Sequence, residues 1–134
     1  HLNYMKYSLA ILGAPYSTQS ATTALNFSKA LLKNGHEIYR VFFYHDAVHC
    51  GSSLSTPPQD ELNIPTEWQA LKQSHDIDLV ICIAAAVKRG VLDNNEAGRH
   101  EKNAANLSDS FELSGLGQLV DATEHSDRVI TFGP

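Results

Sequence analysis

The chain has 134 residues, 43% of them apolar and 19% charged. That length suits one domain able to bury a core without disulfide or metal staples, and that composition excludes global disorder. Ten basic side chains against fifteen acidic ones leave a formal charge of −5, and the Lys and Arg are scattered, which argues against a nucleic-acid-binding face.

The opening His1-Leu2-Asn3-Tyr4-Met5 has no basic region ahead of an apolar stretch, so a secretory signal is not expected. No apolar run approaches the roughly 20 residues that span a bilayer. Met5 reads as the initiator and His1 to Tyr4 as residues added for expression, which leaves 5–134 as the expected single domain and the cytoplasm as the expected compartment. Met5 to Leu12 is a short apolar run stopped by Gly13-Ala14-Pro15, the pattern of a buried strand. From Ser17 to Lys33, Ala21, Ala24, Leu25, Ser28, Leu31 and Leu32 recur at helical spacing, with Ser17 or Thr18 as the expected cap and Gly35 suited to a left-handed stop. Ile38 to Tyr44, rich in β-branched and aromatic residues, reads as a second strand and completes a β-α-β unit of about 40 residues with parallel strands.

Residues 45–63 are the least regular stretch and are long for a connection, a feature of functional or mobile loops. Pro65 to Ser74 is expected to be helical, with Trp68 and Leu71 turned inward. Asp76 to Ile83 has the continuous apolarity of a central parallel strand covered on both faces. A short helix over 84–89 stopped by Gly90, an exposed helix over 93–103, a short strand within 106–113, a helix over 115–122 capped by Ser114, and a last strand over 127–132 follow. The alternation of strand and helix predicts a three-layer α/β/α sandwich around a mostly parallel, flavodoxin-like sheet of about five strands.

Open parallel sheets carry their sites outside the carboxyl ends of the strands. Gly13 to Tyr16, Tyr44-His45-Asp46 and Cys82-Ile83-Ala84 are expected to meet there. A cysteine where a strand gives way to a helix lies near free backbone N–H groups, which favour the thiolate over the thiol, and the small Ala84-Ala85-Ala86 run leaves room for a visitor. Lys88 and Arg89 would add positive potential if the short helix folds back. The competing reading is a plain core thiol, because free cysteine is among the most buried residue types. Cys50, beside His49 in the polar loop, is a candidate second, exposed thiol.

Neither cysteine belongs to a C-x-x-C pair, so a zinc site or a paired redox centre is not expected. His45 and His49 would share a helical face but lack a third ligand. Gly13-Ala14-Pro15-Tyr16-Ser17 is not a G-x-G-x-x-G or Walker pattern, Ser114-Gly115-Leu116-Gly117 reads as tight backbone passage into a helix, and no G-x-S-x-G elbow occurs. Neither metal nor organic cofactor is expected.

Taken in order, several blocks resemble the TusD/DsrE family of sulfur-relay subunits. They are Gly13-x-Pro15 with Gln19, Gly35-His36-Glu37, Val41-Phe42-Phe43-Tyr44, the Pro57 to Asp60 stretch and Trp68-x-x-Leu71. Ile81-Cys82-Ile83-Ala84-Ala85-Ala86-x-x-Arg89-Gly90-Val91, Leu113 to Leu119 and Asp127-Arg128-Val129 complete the set. The resemblance implies that Cys82 is the family cysteine. It would take sulfane sulfur as a persulfide from a TusA-like donor and pass it to a TusE/DsrC-like acceptor. It also implies sister subunits of TusB and TusC type in a heterohexamer. The sulfur would end in 2-thiouridine at the tRNA wobble position, or, in the Dsr branch, belong to sulfur oxidation. No contact with the nucleic acid itself or with a membrane is implied. Cys50 has no counterpart in the family pattern. The rival expectations are a scaffold subunit whose thiol is merely buried and a flavodoxin-like small-molecule binder.

Overall fold

The protein is described here by a computed structural model covering residues 4–134, so His1, Leu2 and Asn3 of the stretch read as added for expression lie outside the described residues. The elements run β1 (Lys6–Ile11), α1 (Ser20–Lys33), β2 (Glu37–Phe43), a 3-10 helix (His45–Gly51), α2 (Ile64–His75), β3 (Asp78–Cys82), α3 (Ile83–Lys88), α4 (Asn94–Arg99), β4 (Glu112–Ser114), α5 (Gly117–His125) and β5 (Arg128–Phe132). The five strands form one sheet in the order β4-β3-β2-β1-β5, and every pairing is parallel. The expected three-layer parallel architecture therefore holds, though the order departs from the 2-1-3-4-5 of flavodoxin itself.

That order dictates where the helices go. The steps β1 to β2, β2 to β3 and β3 to β4 all move the same way across the sheet, so right-handed crossovers place their helices on one face. There α1 packs on α2, and α2 and α3 pack on the 3-10 helix. The return from β4 to β5 runs in the opposite direction and puts α5 alone on the other face, against β1, β2 and β5.

Side chains divide between the faces by the period of two. On β1, Tyr7 stands edge-on to Phe27 of α1, which assigns Tyr7, Leu9 and Ile11 to the crowded face and Ser8, bonded to Ser126 at 2.7 Å, to the α5 face. On β2, a bulge interrupts the register: Tyr7 pairs with Ile38 but Ser8 with Arg40, leaving Tyr39 unmatched. The extra residue lets both Tyr39 and Arg40 reach α5. Beyond it, Phe43 meets Trp68 of α2 at 5.5 Å between ring centroids and Phe111 at 5.4 Å. Trp68 is fully buried, as its sequence context predicts, with its indole N–H unpaired among the protein groups.

Several local expectations change in detail. Helix α1 starts at Ser20, and Gln19 occupies its N-cap without a side-chain bond. Two hydroxyls at the helix start fold the turn instead: Thr18 Oγ1 donates to the Ala14 carbonyl at 2.9 Å, and Ser20 Oγ accepts from the Gly13 N–H at 3.0 Å. Ser114 closes β4 rather than capping α5, whose N-cap is Leu116. Of residues 106–113, Leu107 makes a lone bridge to Ser52, and regular pairing begins at Glu112. The irregular stretch after β2 opens with a 3-10 helix whose Ala47, Val48, Cys50 and Gly51 turn inward. Gly51 lies so close to Ile81 that a methyl group there would overlap it, which brings this helix down onto β3.

Candidate functional site

Cys82 is the last residue of β3 and the N-cap of α3, so the strand-to-helix junction is where the pattern places it. Its side chain belongs to the α5 face. Asp78, four residues earlier on the same strand, accepts from Arg40 Nε at 2.7 Å, and Arg40 in turn reaches α5. Alternation then carries Val80 and Cys82 to that side and Leu79 and Ile81 to the other. Its partner across the ladder is Ser114 of β4.

The expectation of an open thiol is corrected. Cys82 is only 3% exposed and packs within the hydrophobic core. The first N–H groups of α3 lack intrahelical partners, but the thiol makes no capping bond to them. The neighbouring Ala84 is exposed, so the outer surface lies directly beside the cysteine.

Arg89 is bonded away from this thiol. Its Nε binds Asp46 Oδ1 at 2.8 Å and its Nη1 donates to the Ala85 carbonyl at 3.1 Å, tying the end of α3 to the 3-10 helix. The Arg89 guanidinium holds the Asp46 carboxyl below its ordinary range, against a smaller desolvation effect. Lys88 is exposed at the last turn of α3.

Cys50 is the second correction. It is 0% exposed inside the 3-10 helix, and burial pushes its thiol far above the ordinary range. A thiol so disfavoured as an anion is a core residue, not a reagent. Its neighbours Ala47 and Val48 were the sequence signal: an apolar cluster inside an otherwise polar loop.

The carboxyl edge of the sheet brings together two of the three expected segments, those after β1 and β2, without Cys82-Ile83-Ala84. A cleft of about 650 Å3 there is lined by Leu12, Gly13 and Ala14 after β1, His45 and Asp46 after β2, and Arg89 after α3. Cys82 is not among its lining residues. His45 adopts φ +50 and stacks on Tyr44 at 4.1 Å. His49 is half-buried, and the two histidines do not join a potential metal cluster; the group of metal-binding type among the described residues is Asp121, Glu124 and His125. Asp121 is already engaged by Tyr39 and Arg40.

That engagement is the feature sequence reasoning missed. Arg40 is 7% exposed and donates to Asp78 on β3, to Asp121 on α5 at 2.8 Å and to the Gln118 carbonyl at 2.8 Å. Burial opposes the guanidinium charge, but the two carboxylates outweigh it and raise its affinity for the proton. The Tyr39 hydroxyl and Arg40 together hold Asp121 below the usual carboxylate range. A lone Arg inside a β-branched strand was the available signal, because a buried guanidinium requires acceptors.

Residues 5–132 match the DsrE/DsrF-like family. The chain is 47% identical over 129 residues to the DsrE protein of Allochromatium vinosum, covering 96% of this chain and 99% of that one. It is 45% identical over 128 residues to "Sulfurtransferase TusD" of Salmonella dublin, covering 96% and 100% respectively. Among solved structures, the ychN protein from E. coli superposes with a TM-score of 0.76 at 25% identity, over 95% of this chain and 98% of that one. With a match running from the first strand to the last, the chain belongs to the DsrE/DsrF-like family.

Proposed function

We propose that this protein is a sulfurtransferase that carries sulfane sulfur as a persulfide on Cys82. The observation behind the reading is the position of Cys82 at the carboxyl end of a central strand, in a chain whose near full-length relative TusD is named a sulfurtransferase. Cys50, fully buried with a raised thiol pKa, leaves Cys82 as the better candidate of the two thiols.

The step is a thiol exchange on sulfur. The Cys82 thiolate attacks the outer sulfur of a donor persulfide, the donor's S–S bond breaks, and the donor leaves as a thiolate. Cys82 then holds that sulfur as Cys82–S–SH. An acceptor thiolate attacks the same outer sulfur, and Cys82 is released as its thiolate. The sulfane sulfur keeps its oxidation level throughout, so no external oxidant or reductant enters. Free N–H groups at the start of α3 supply partial positive charge beside the junction.

On this reading the donor is TusA-like, the acceptor TusE/DsrC-like, and TusB- and TusC-type subunits complete a heterohexamer in the cytoplasm, serving 2-thiouridine formation at the tRNA wobble position. Sulfur oxidation with a DsrE-type subunit uses the same carrier step; the identity of 47% to the DsrE protein supports that branch equally. The low exposure of Cys82 favours one other reading, a scaffold subunit with an inert thiol. Cys82→Ser separates them: the variant keeps the fold and loses all sulfur loading from a persulfide donor, read by intact mass. Unchanged loading in the variant rules out the carrier.

A further inference from the structure

Sulfur transfer needs a visiting thiol to reach an atom that the folded chain covers almost completely, and the topology identifies what lies over it. Strand β4 sits on one side of β3 at the sheet edge, and α5 packs on β2 and β1 on the other side. Only Gly115 and Leu116 separate Ser114, the end of β4, from Gly117, the start of α5. The chain therefore has to cross the carboxyl end of β3 at these residues, on the face to which Cys82 points.

This crossing is weakly held at one end and firmly at the other. Strand β4 is three residues long and at the edge of the sheet. Gly115, Leu116 and Gly117 are all exposed, Leu116 at 48%, and neither glycine has an atom within 4 Å of where a Cβ would lie. Leu116 takes the N-cap of α5 without a side-chain bond. Few packed atoms and an exposed backbone are the marks of a segment that opens at low free energy. Immediately beyond it, Arg40 grips the Gln118 carbonyl and Asp121.

We propose that Gly115-Leu116-Gly117 is a movable cover over Cys82, and that Arg40 is the positioning residue that sets how readily it lifts. The cover opens without disturbing the opposite face, where Cys50 is turned inward from the 3-10 helix. Sulfur chemistry at Cys82 rests on the proposed function above; the cover itself is a property of the fold and is tested without sulfur.

The test is alkylation of the folded protein by iodoacetamide, with each cysteine followed separately by peptide mass and Cys50 as the internal gauge of global unfolding. In the native chain Cys82 reacts at least about tenfold faster than Cys50, because local opening precedes global unfolding. Arg40→Gln raises the Cys82 rate about tenfold or more, the effect of losing a hydrogen bond to a charged group, and Cys82 stays the faster of the two, while Cys50 rises only as far as global stability falls; Arg40→Lys, which keeps the charge but not the fork, falls between. Gly115→Ala with Gly117→Ala slows Cys82 about two- to fivefold by restricting the open chain, since neither glycine has a positive φ and the methyls meet no neighbour. The glycine variant keeps the question open to test should Arg40→Gln fail to fold. Equal rates for the two cysteines, a Cys82 rate that does not rise in Arg40→Gln, or a glycine variant that leaves Cys82 unaltered would overturn the cover. Sulfur loading is measured in parallel: altered alkylation without any loading removes the carrier reading alone, and loading with unaltered alkylation removes the cover alone.

Discussion

Two cysteines of nearly equal burial, Cys50 and Cys82, lie on opposite faces of the same sheet, and the faces are closed by different means. Over Cys50 the closure is apolar: α1, α2, α3 and the 3-10 helix press on β1, β2 and β3, and Trp68, Phe43 and Phe111 interlock. The face of Cys82 carries less: one nine-residue helix, α5, packed on β1, β2 and β5 and tied to the sheet through Asp121 and Arg40, with Val120 59% exposed on its outer side. Low accessibility in a static structure thus describes two different situations. A thiol under packed aromatics is released only when the domain unfolds, whereas a thiol under a short exposed connection is released when that connection moves.

The contrast predicts unequal costs. Trp68→Ala empties the centre of the crowded face and is expected to cost about 3–5 kcal/mol in urea denaturation. Arg40→Gln is expected to cost about 2–4 kcal/mol, below the upper end for a broken buried pair because both carboxylates are one-third exposed and partly screened. The two should differ in kind as well. Trp68→Ala exposes both cysteines together, while Arg40→Gln acts first on the α5 face.

Acid sharpens the same distinction. Asp121 has a folded-state pKa below its unfolded value, so its contribution is fully present above about pH 4 and is lost as pH falls through the folded value. Thermal melts between pH 7 and pH 3 should show this loss in the native chain and a smaller one in Arg40→Gln, whose Asp121 has lost its cation. Equal slopes would mean that Arg40 contributes nothing to the closure of that face. The smallest effect belongs to Asn63, whose side chain accepts from the Thr66 N–H at 3.3 Å as the N-cap of α2. Asn63→Ala should cost about 1 kcal/mol in the same denaturation experiment.

Much of this was legible in the order of residues. Strand and helix alternation reported the layers, Gly35 occupies the left-handed position its context suggested at φ +86, and Cys82 stands where a strand yields to a helix. What was not legible depends on distance along the chain. Arg40 meets Asp78 and Asp121 across separations of 38 and 81 residues, which no local pattern records. The bulge at Tyr39 shifts which residues face α5, and the face of Cys82 follows from ladder register rather than from its own neighbours. Cys50 was misplaced on the surface because the loop as a whole is polar and irregular, while the 3-10 coil turns Ala47, Val48 and Cys50 inward.

The central claim is that one of these two sulfurs accepts sulfur and the other does not. Native protein incubated with a persulfide donor, digested and read peptide by peptide, should carry a single added sulfur on the fragment holding Cys82 and none on the fragment holding Cys50. Added sulfur on Cys50, or none on either fragment, would contradict the account.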